Sequence, residues 1–245
     1  MTGASVSQAE KGPEIQLDDL RLTLGSARFS FDGTIAGGCI TAVVGPSGSG
    51  KSTLLNLIAG FDRAESGRLL FGGLDVTASH PAERPVSLVF QDHNLFAHLD
   101  LFTNVGLGIH SSLRLSRQER DRVSAALTQV GLAGMEKRKP STLSGGERQR
   151  AAFARVLVRH RPVLLMDEPF AALDPGLRLN MTAMLNELHQ EMGNTVLIVS
   201  HDPDEVRRLA DAVIFIEKGH ILLQAPSADF FGRRDIPAIA RFLDG

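Results

Sequence analysis

The chain has 245 residues, of which 43% are hydrophobic and 22% charged, so it can bury a core without disulfide or metal staples. Lys and Arg number 26 against 28 Asp and Glu, and this net charge of -2 excludes a global electrostatic pull toward nucleic acid. A lone cysteine, Cys39, excludes an intrachain disulfide and fits a reducing compartment, and no apolar run approaches the roughly 20 residues of a membrane helix.

Residues 1–13 are polar and small, lack the apolar stretch of a signal peptide, and are expected to be disordered. Residues 14–235 read as one domain and 236–245 as a tail. Strand patterns cover 15–24 and 29–35. An apolar run at 39–44 ends at Gly45 and reads as a buried strand. A helix pattern follows over 52–59 and is stopped by Gly60. Residues 68–71 read as a strand before the tight turn Gly72-Gly73, and 86–90 as another strand. From about 91 to 159 the texture is helical, with charged faces at 117–130 and 147–159. Beyond it come a strand at 163–166, a helix at 177–192, a strand at 195–199, a helix at 203–210, and strands at 213–217 and 221–224. This alternation predicts an α/β fold with a mostly parallel sheet, into which the helical middle is inserted.

Three stretches carry chemistry. Gly45-Pro46-Ser47-Gly48-Ser49-Gly50-Lys51-Ser52-Thr53 fills every defining position of a phosphate loop, between a strand and a helix. Glycines let backbone N–H groups crowd around phosphate oxygens, and the helix N-terminus adds its positive end. Lys51 is placed to reach the β- and γ-phosphates of ATP, and Ser52 to offer its hydroxyl to Mg²⁺. The strand at 163–166 runs into Asp167-Glu168-Pro169. Two acids at the mouth of an apolar strand need a partner. A divalent cation held by Asp167, directly or through water, supplies one, and Glu168 is then free to polarise an attacking water. Taken alone, the pair would read equally well as the start of a surface turn. Ser144-Gly145-Gly146-Glu147 is a capping box opening a helix. Its bare N–H groups and Ser144 hydroxyl also suit an anion. Lys51 already serves one side of a nucleotide, so this second anion site is most useful across a dimer interface.

With Gln91 after the strand at 86–90, Ala172-Leu173-Asp174 and His201 after the strand at 195–199, these stretches resemble an ABC-type ATPase subunit from about residue 15 to 224. The resemblance implies a P-loop NTPase core with an N-terminal antiparallel β subdomain and a helical subdomain at about 91–159. It implies a homodimer sandwiching two Mg-ATP. Glu168, His201 and Gln91 would be catalytic, and Gln91 would join Ser52 and Asp167 at Mg²⁺. Ser144, Gly145, Gly146 and Asp174 would reach the partner's nucleotide. On their own residues, Gln91 reads as a solvated loop glutamine and His201 as the residue ahead of a helix start.

The family stacks adenine on an aromatic shortly before the phosphate loop. The chain has no Tyr and no Trp; that position falls near Leu24, with Phe29 or Phe31 as substitutes. The segment 168–175 resembles bacterial importers, and 84–99 with 104–108 is similar to ATP-binding subunits of thiamine importers. The resemblance therefore implies membrane-spanning permease partners and, indirectly, a periplasmic solute-binding protein, but no nucleic acid. It implies a peripheral place on the cytoplasmic face of the bacterial inner membrane. A groove near Leu95, Phe96, Leu99, Leu101 and Phe102 would receive the permease. Iron(III), sulfate, molybdate and polyamine remain alternative cargoes. A DNA-repair or chromosome-tethering ATPase would need a coiled-coil insertion or a second ATPase half, and a small-molecule kinase would not explain Ser144–Glu147.

Overall fold

The computed structural model describes residues 11–89, 95–110, 112–171 and 173–244. The first half contains β1 (Ile15–Leu24), β2 (Ala27–Ile35), β3 (Ile40–Val44), α1 (Lys51–Ala59), β4 (Ser66–Phe71), β5 (Leu74–Asp75), β6 (Val86–Val89), α2 (Leu101–Gly106) and α3 (Arg117–Gln129). After a 3-10 turn at Pro140–Thr142 come α4 (Gly145–Leu157), β7 (Val163–Asp167), α5 (Pro175–Met192) and β8 (Thr195–Val199). The chain ends through α6 (Pro203–Leu209), β9 (Ala212–Glu217), β10 (His220–Pro226), α7 (Ser227–Phe230) and α8 (Pro237–Asp244).

The ten strands among the described residues form one sheet in the order β5-β4-β1-β2-β10-β9-β3-β8-β7-β6. The run from β9 to β6 is parallel, and β5, β4, β1 and β2 pair antiparallel. Strand β10 joins the halves, antiparallel to β9 and parallel to β2. The apolar runs of β3, β7 and β8 show no polar alternation because both their faces are covered. Ala42, Val44, Leu164, Met166, Val196 and Ile198 face a core shared with the inserted helices. Val43, Leu165, Leu197 and Val199 face a second core, built on Leu54, Leu55 and Ile58 of α1 and on Phe31 and Leu69 of the antiparallel strands. Helix α1 is thus clamped between sheet segments, and its N-terminus is held in place by packing along its whole length.

The insertion α2–α4 packs through Val105, Val123, Leu127 and Phe153. Helix α2, not anticipated as a separate element, is opened by the Asp100 carboxylate, which accepts from the Thr103 N–H. The buried Asn104 amide donates to the carbonyls of Phe96, Leu99 and Asp100 and accepts from the Phe96 N–H, which fixes the loop before the helix.

Both chain ends of the described fold depart from the expected boundaries. Gly12 N donates to Gly193 O at 2.7 Å and Thr195 Oγ1 to Pro13 O at 2.8 Å, so residues 12 and 13 are strapped to the chain at the start of β8 rather than loose. A side chain at Gly12 would collide with Thr195 and the Pro162 carbonyl. The expected tail contains α8, with Ile239 fully buried and the Phe242 ring against those of Phe215 and Phe230. Among the described residues no helix is long and apolar enough to cross a membrane.

Candidate nucleotide site

The carboxyl ends of β3, β7 and β8 line up, with Val43 opposite Val199 and Val199 opposite Asp167. In an open parallel sheet this edge is where ligands bind. The phosphate loop leaves β3 here. Gly45 has φ 144° and lies so close to the Ile216 carbonyl that a Cβ would overlap it. Gly50 has φ 111° and leaves room for the Phe29 ring, which a Cβ would meet at 2.8 Å. Both positions therefore require glycine. Pro46, Ser47 and Gly48 form the exposed tip, whereas Ser49 and Gly50 are buried. Ser49 anchors the loop through its carbonyl, which accepts from Gly219 N at 2.9 Å. Ser52 and Thr53, in the first turn of α1, are exposed and half-buried respectively.

Lys51 is only 9% exposed, and its Nζ donates to the carbonyls of Gly45 and Pro46 at 2.9 Å each. Its ammonium thus lies folded under the loop tip. Burial lowers its pKa, opposed by the nearby Glu168 and Asp167 carboxylates. Asp167 at the end of β7 shows the converse shift. Burial raises its pKa together with the Glu168 charge, while the Ser52 hydroxyl and Lys51 pull it down.

Glu168 stands one residue beyond the strand with φ 47°, a left-handed conformation that costs a non-glycine residue about 1–3 kcal/mol. Its N–H donates to Val199 O at 3.2 Å, tying β7 to β8 where they end. The bend turns its carboxylate toward His201, with Nδ1 to Oε2 at 3.6 Å. Side-chain exposure is 25% for Glu168 and 61% for His201, so water reaches the pair.

A second group of predicted residues assembles around α4 and α5. Ser144 caps α4: its Oγ accepts from Glu147 N at 3.2 Å, and Glu147 Oε2 accepts from Ser144 N at 2.7 Å. Asp174 caps α5 by accepting from Leu177 N at 3.0 Å. The two helix starts abut, since a Cβ on Gly146 would touch Leu173 and Leu177 while Gly145 is nearly open. Ser144, Gly145, Gly146 and Asp174 therefore form one surface. The Lys51–Asp167–Glu168–His201 group forms another. Among the described residues an ion pair bridges them, Arg178 Nη1 to Asp202 Oδ2 at 2.7 Å. Arg178 carries no local sequence signal, because its partner lies 24 positions away.

Gln91 lies outside the described residues. The adenine substitutes are corrected: Phe31 is fully buried and Phe29 is 9% exposed, stacked on one another beneath the phosphate loop. They serve as its floor, while Leu24 is exposed. An open cavity of about 1180 Å³ is lined by Leu95, Phe96, Phe61, Leu88 and Ile109, so Leu95 and Phe96 of the expected groove residues lie on it and Leu99 does not. Leu101 does not belong to it; it is fully buried in the insertion's core, with Phe102 packed alongside. Sequence reading missed the cationic side of this groove, formed by Arg122, Arg155, Arg159 and Arg161.

Fold and site together define a nucleotide-binding P-loop protein, and residues 30–171 match the ABC transporter family, to which the chain belongs. It is 54% identical to the thiamine import ATP-binding protein ThiQ of Rhizobium meliloti (strain 1021), over 98% of each chain. It is 52% identical to the protein of the same name from Brucella suis biovar 1 (strain 1330), over 94% of this chain and 95% of that one. An ATP-binding cassette solved as a dimer in a post-hydrolysis state with ADP and Pi superposes with a TM-score of 0.78 at 29% identity, covering 87% of this chain and 98% of that one.

Proposed function

We propose that this chain is the ATP-hydrolysing subunit of a bacterial thiamine importer, which works as a homodimer on the cytoplasmic face of the inner membrane and drives permease subunits. The observation that carries hydrolysis is the strained Glu168, turned toward His201 beside the phosphate loop. The thiamine cargo is supported by the name that relatives above 50% identity bear over nearly their whole length.

In this reading the loop N–H groups of Gly48, Ser49 and Gly50 and the start of α1 hold the phosphates of ATP. Lys51 exchanges the carbonyls of Gly45 and Pro46 for phosphate oxygens. Glu168 accepts a proton from the attacking water, which Gln91 helps to orient. His201 stands at the γ-phosphate, and the partner protomer contributes Ser144, Gly145, Gly146 and Asp174. Asp167 and Ser52 are hard oxygen donors suited to Mg²⁺. Among the described residues no group of three His, Cys, Asp or Glu could hold a metal. Mg²⁺ in nucleotide sites is usually bound mainly by water and phosphate with one or two protein oxygens. When bound, Mg²⁺ neutralises phosphate charge.

The direct test is copurification with a multi-helix permease, followed by ATPase assay in vesicles with the cognate solute-binding protein. Thiamine is expected to stimulate turnover severalfold; stimulation by iron(III) or sulfate instead would move the cargo. A second result concerns the base. GTP is expected to bind within about threefold of ATP, because a ring stack worth roughly 0.5–1.5 kcal/mol is not supplied by the buried Phe29 and Phe31. Competition binding checks this, and a hundredfold preference for ATP would contradict it.

A further inference from the structure

His201 is poorly held by its own side chain. The ring is 61% exposed, and its contact with Glu168 is long, at 3.6 Å. Where it points depends on what fixes its backbone. Both neighbours are clamped. Ser200 is 3% exposed, and its hydroxyl accepts from Asp202 N at 3.1 Å. The Asp202 carboxylate does three things at once. Its Oδ1 accepts from the N–H groups of Asp204 and Glu205, which caps α6, and its Oδ2 accepts from Arg178 Nη1 at 2.7 Å. Arg178 stands one turn into α5, and its N–H donates to Asp174 O at 2.9 Å. The bridge thus runs from the Asp174 end of α5 to the residue beside His201.

Glu205 completes the cluster. It is 7% exposed, and its N–H donates to Asp202 Oδ1 at 3.3 Å. Burial pushes its pKa up to about 7, opposed by the Ser200 hydroxyl and Arg178 and reinforced by the charges of Asp202 and Glu168. Asp202 moves the other way despite burial. The backbone N–H groups of Glu205 and Asp204, and Arg178, hold its carboxyl below the usual range. The cluster thus joins α5, the start of α6 and the residues on both sides of His201.

We propose that Arg178, Asp202 and Glu205 form a positioning cluster for ATP hydrolysis, which holds His201 at Glu168 and ties that pair to the Asp174 end of α5. This rests on the hydrolytic reading of Glu168 and His201. None of the three touches the phosphates; they act through His201. The consequence is specific. Loosening the cluster misplaces the hydrolytic pair and leaves the phosphate loop, on the other side of β3, untouched.

The experiment measures kcat and KM for ATP in the full-length chain for Arg178→Met, Asp202→Asn, their double variant and Arg178→Lys, with Glu168→Gln as a control. Arg178→Met and Asp202→Asn are each expected to lower kcat about tenfold, as a misplaced reacting group does, with KM within about twofold. The double variant is expected to match the worse single, because both remove the same bridge. Arg178→Lys should recover at least about a third of kcat, because it restores the charge. Unchanged kcat, a rise in KM equal to the loss in kcat, or additive losses in the double variant would overturn the proposal. If Arg178→Met does not fold, Arg178→Lys and Asp202→Asn with their double variant read the same cycle. Turnover surviving in Glu168→Gln would instead overturn the hydrolytic reading itself, so the two failures are separable.

Discussion

Glu168→Gln is expected to slow ATP hydrolysis by ~10²–10⁴-fold while ATP binding survives, because that is what a positioned general base contributes. The substitution keeps the shape of the side chain and removes only its ability to take a proton. The backbone at this residue is already held in a left-handed turn by the bond from its N–H to Val199 O, so the amide should occupy the same place. Lys51, Ser52 and the loop glycines are unaltered, so affinity for the nucleotide should stay near that of the wild type. Single-turnover phosphate release and equilibrium binding on the same preparation separate the two effects. Full turnover would remove Glu168 from the chemistry, and a parallel loss of binding would assign it to the nucleotide pocket.

Lys51→Ala should fail at the opposite step. The ammonium is nearly buried and already bonded to two loop carbonyls, so its direction is set before phosphate arrives. Charge-assisted bonds to phosphate contribute about 1.5–3 kcal/mol each, and losing two corresponds to ~10²-fold or more in affinity. Both carbonyls would also lose their donor, which loosens the loop tip. The checking measurement is nucleotide titration alongside circular dichroism. Wild-type affinity in a folded variant would contradict the assignment, whereas weakened binding with unchanged structure supports it.

The parts of this molecule legible in its sequence are those whose physics is local. Gly45, Gly50 and Lys51 sit within one strand–loop–helix unit, and spacing alone announces them. The apolar runs of β3, β7 and β8 betray burial on both faces. Ser144 and Glu147 form their capping box within a single helical turn. Long-range features left no such trace. The pairing of β10 with both β2 and β9 makes one sheet of what reads as two subdomains. Arg178 meets Asp202 only because α5 folds back over α6. Gly12 finds Gly193 across most of the chain. Spacing puts the adenine contact near Leu24, with Phe29 and Phe31 as the nearby aromatic substitutes. Strand alternation instead turns both rings into the core, beneath Gly50. Leu101 reads from the sequence as part of the same apolar surface as Leu95 and Phe96, yet at the start of helix α2 it is fully buried.

The central claim is that Lys51 and Ser144 of one chain serve different nucleotides, so that each working site is composed from two copies. Mixing two inactive variants tests it. Lys51→Ala damages the loop half of a site and Ser144→Arg damages the capping half; each homodimer carries both sites defective. A mixed dimer has one site with both defects and one site with neither. The account predicts that each variant alone is inactive and that equimolar mixing restores a substantial fraction of wild-type ATPase activity. Mixtures that stay as inactive as their components would contradict it.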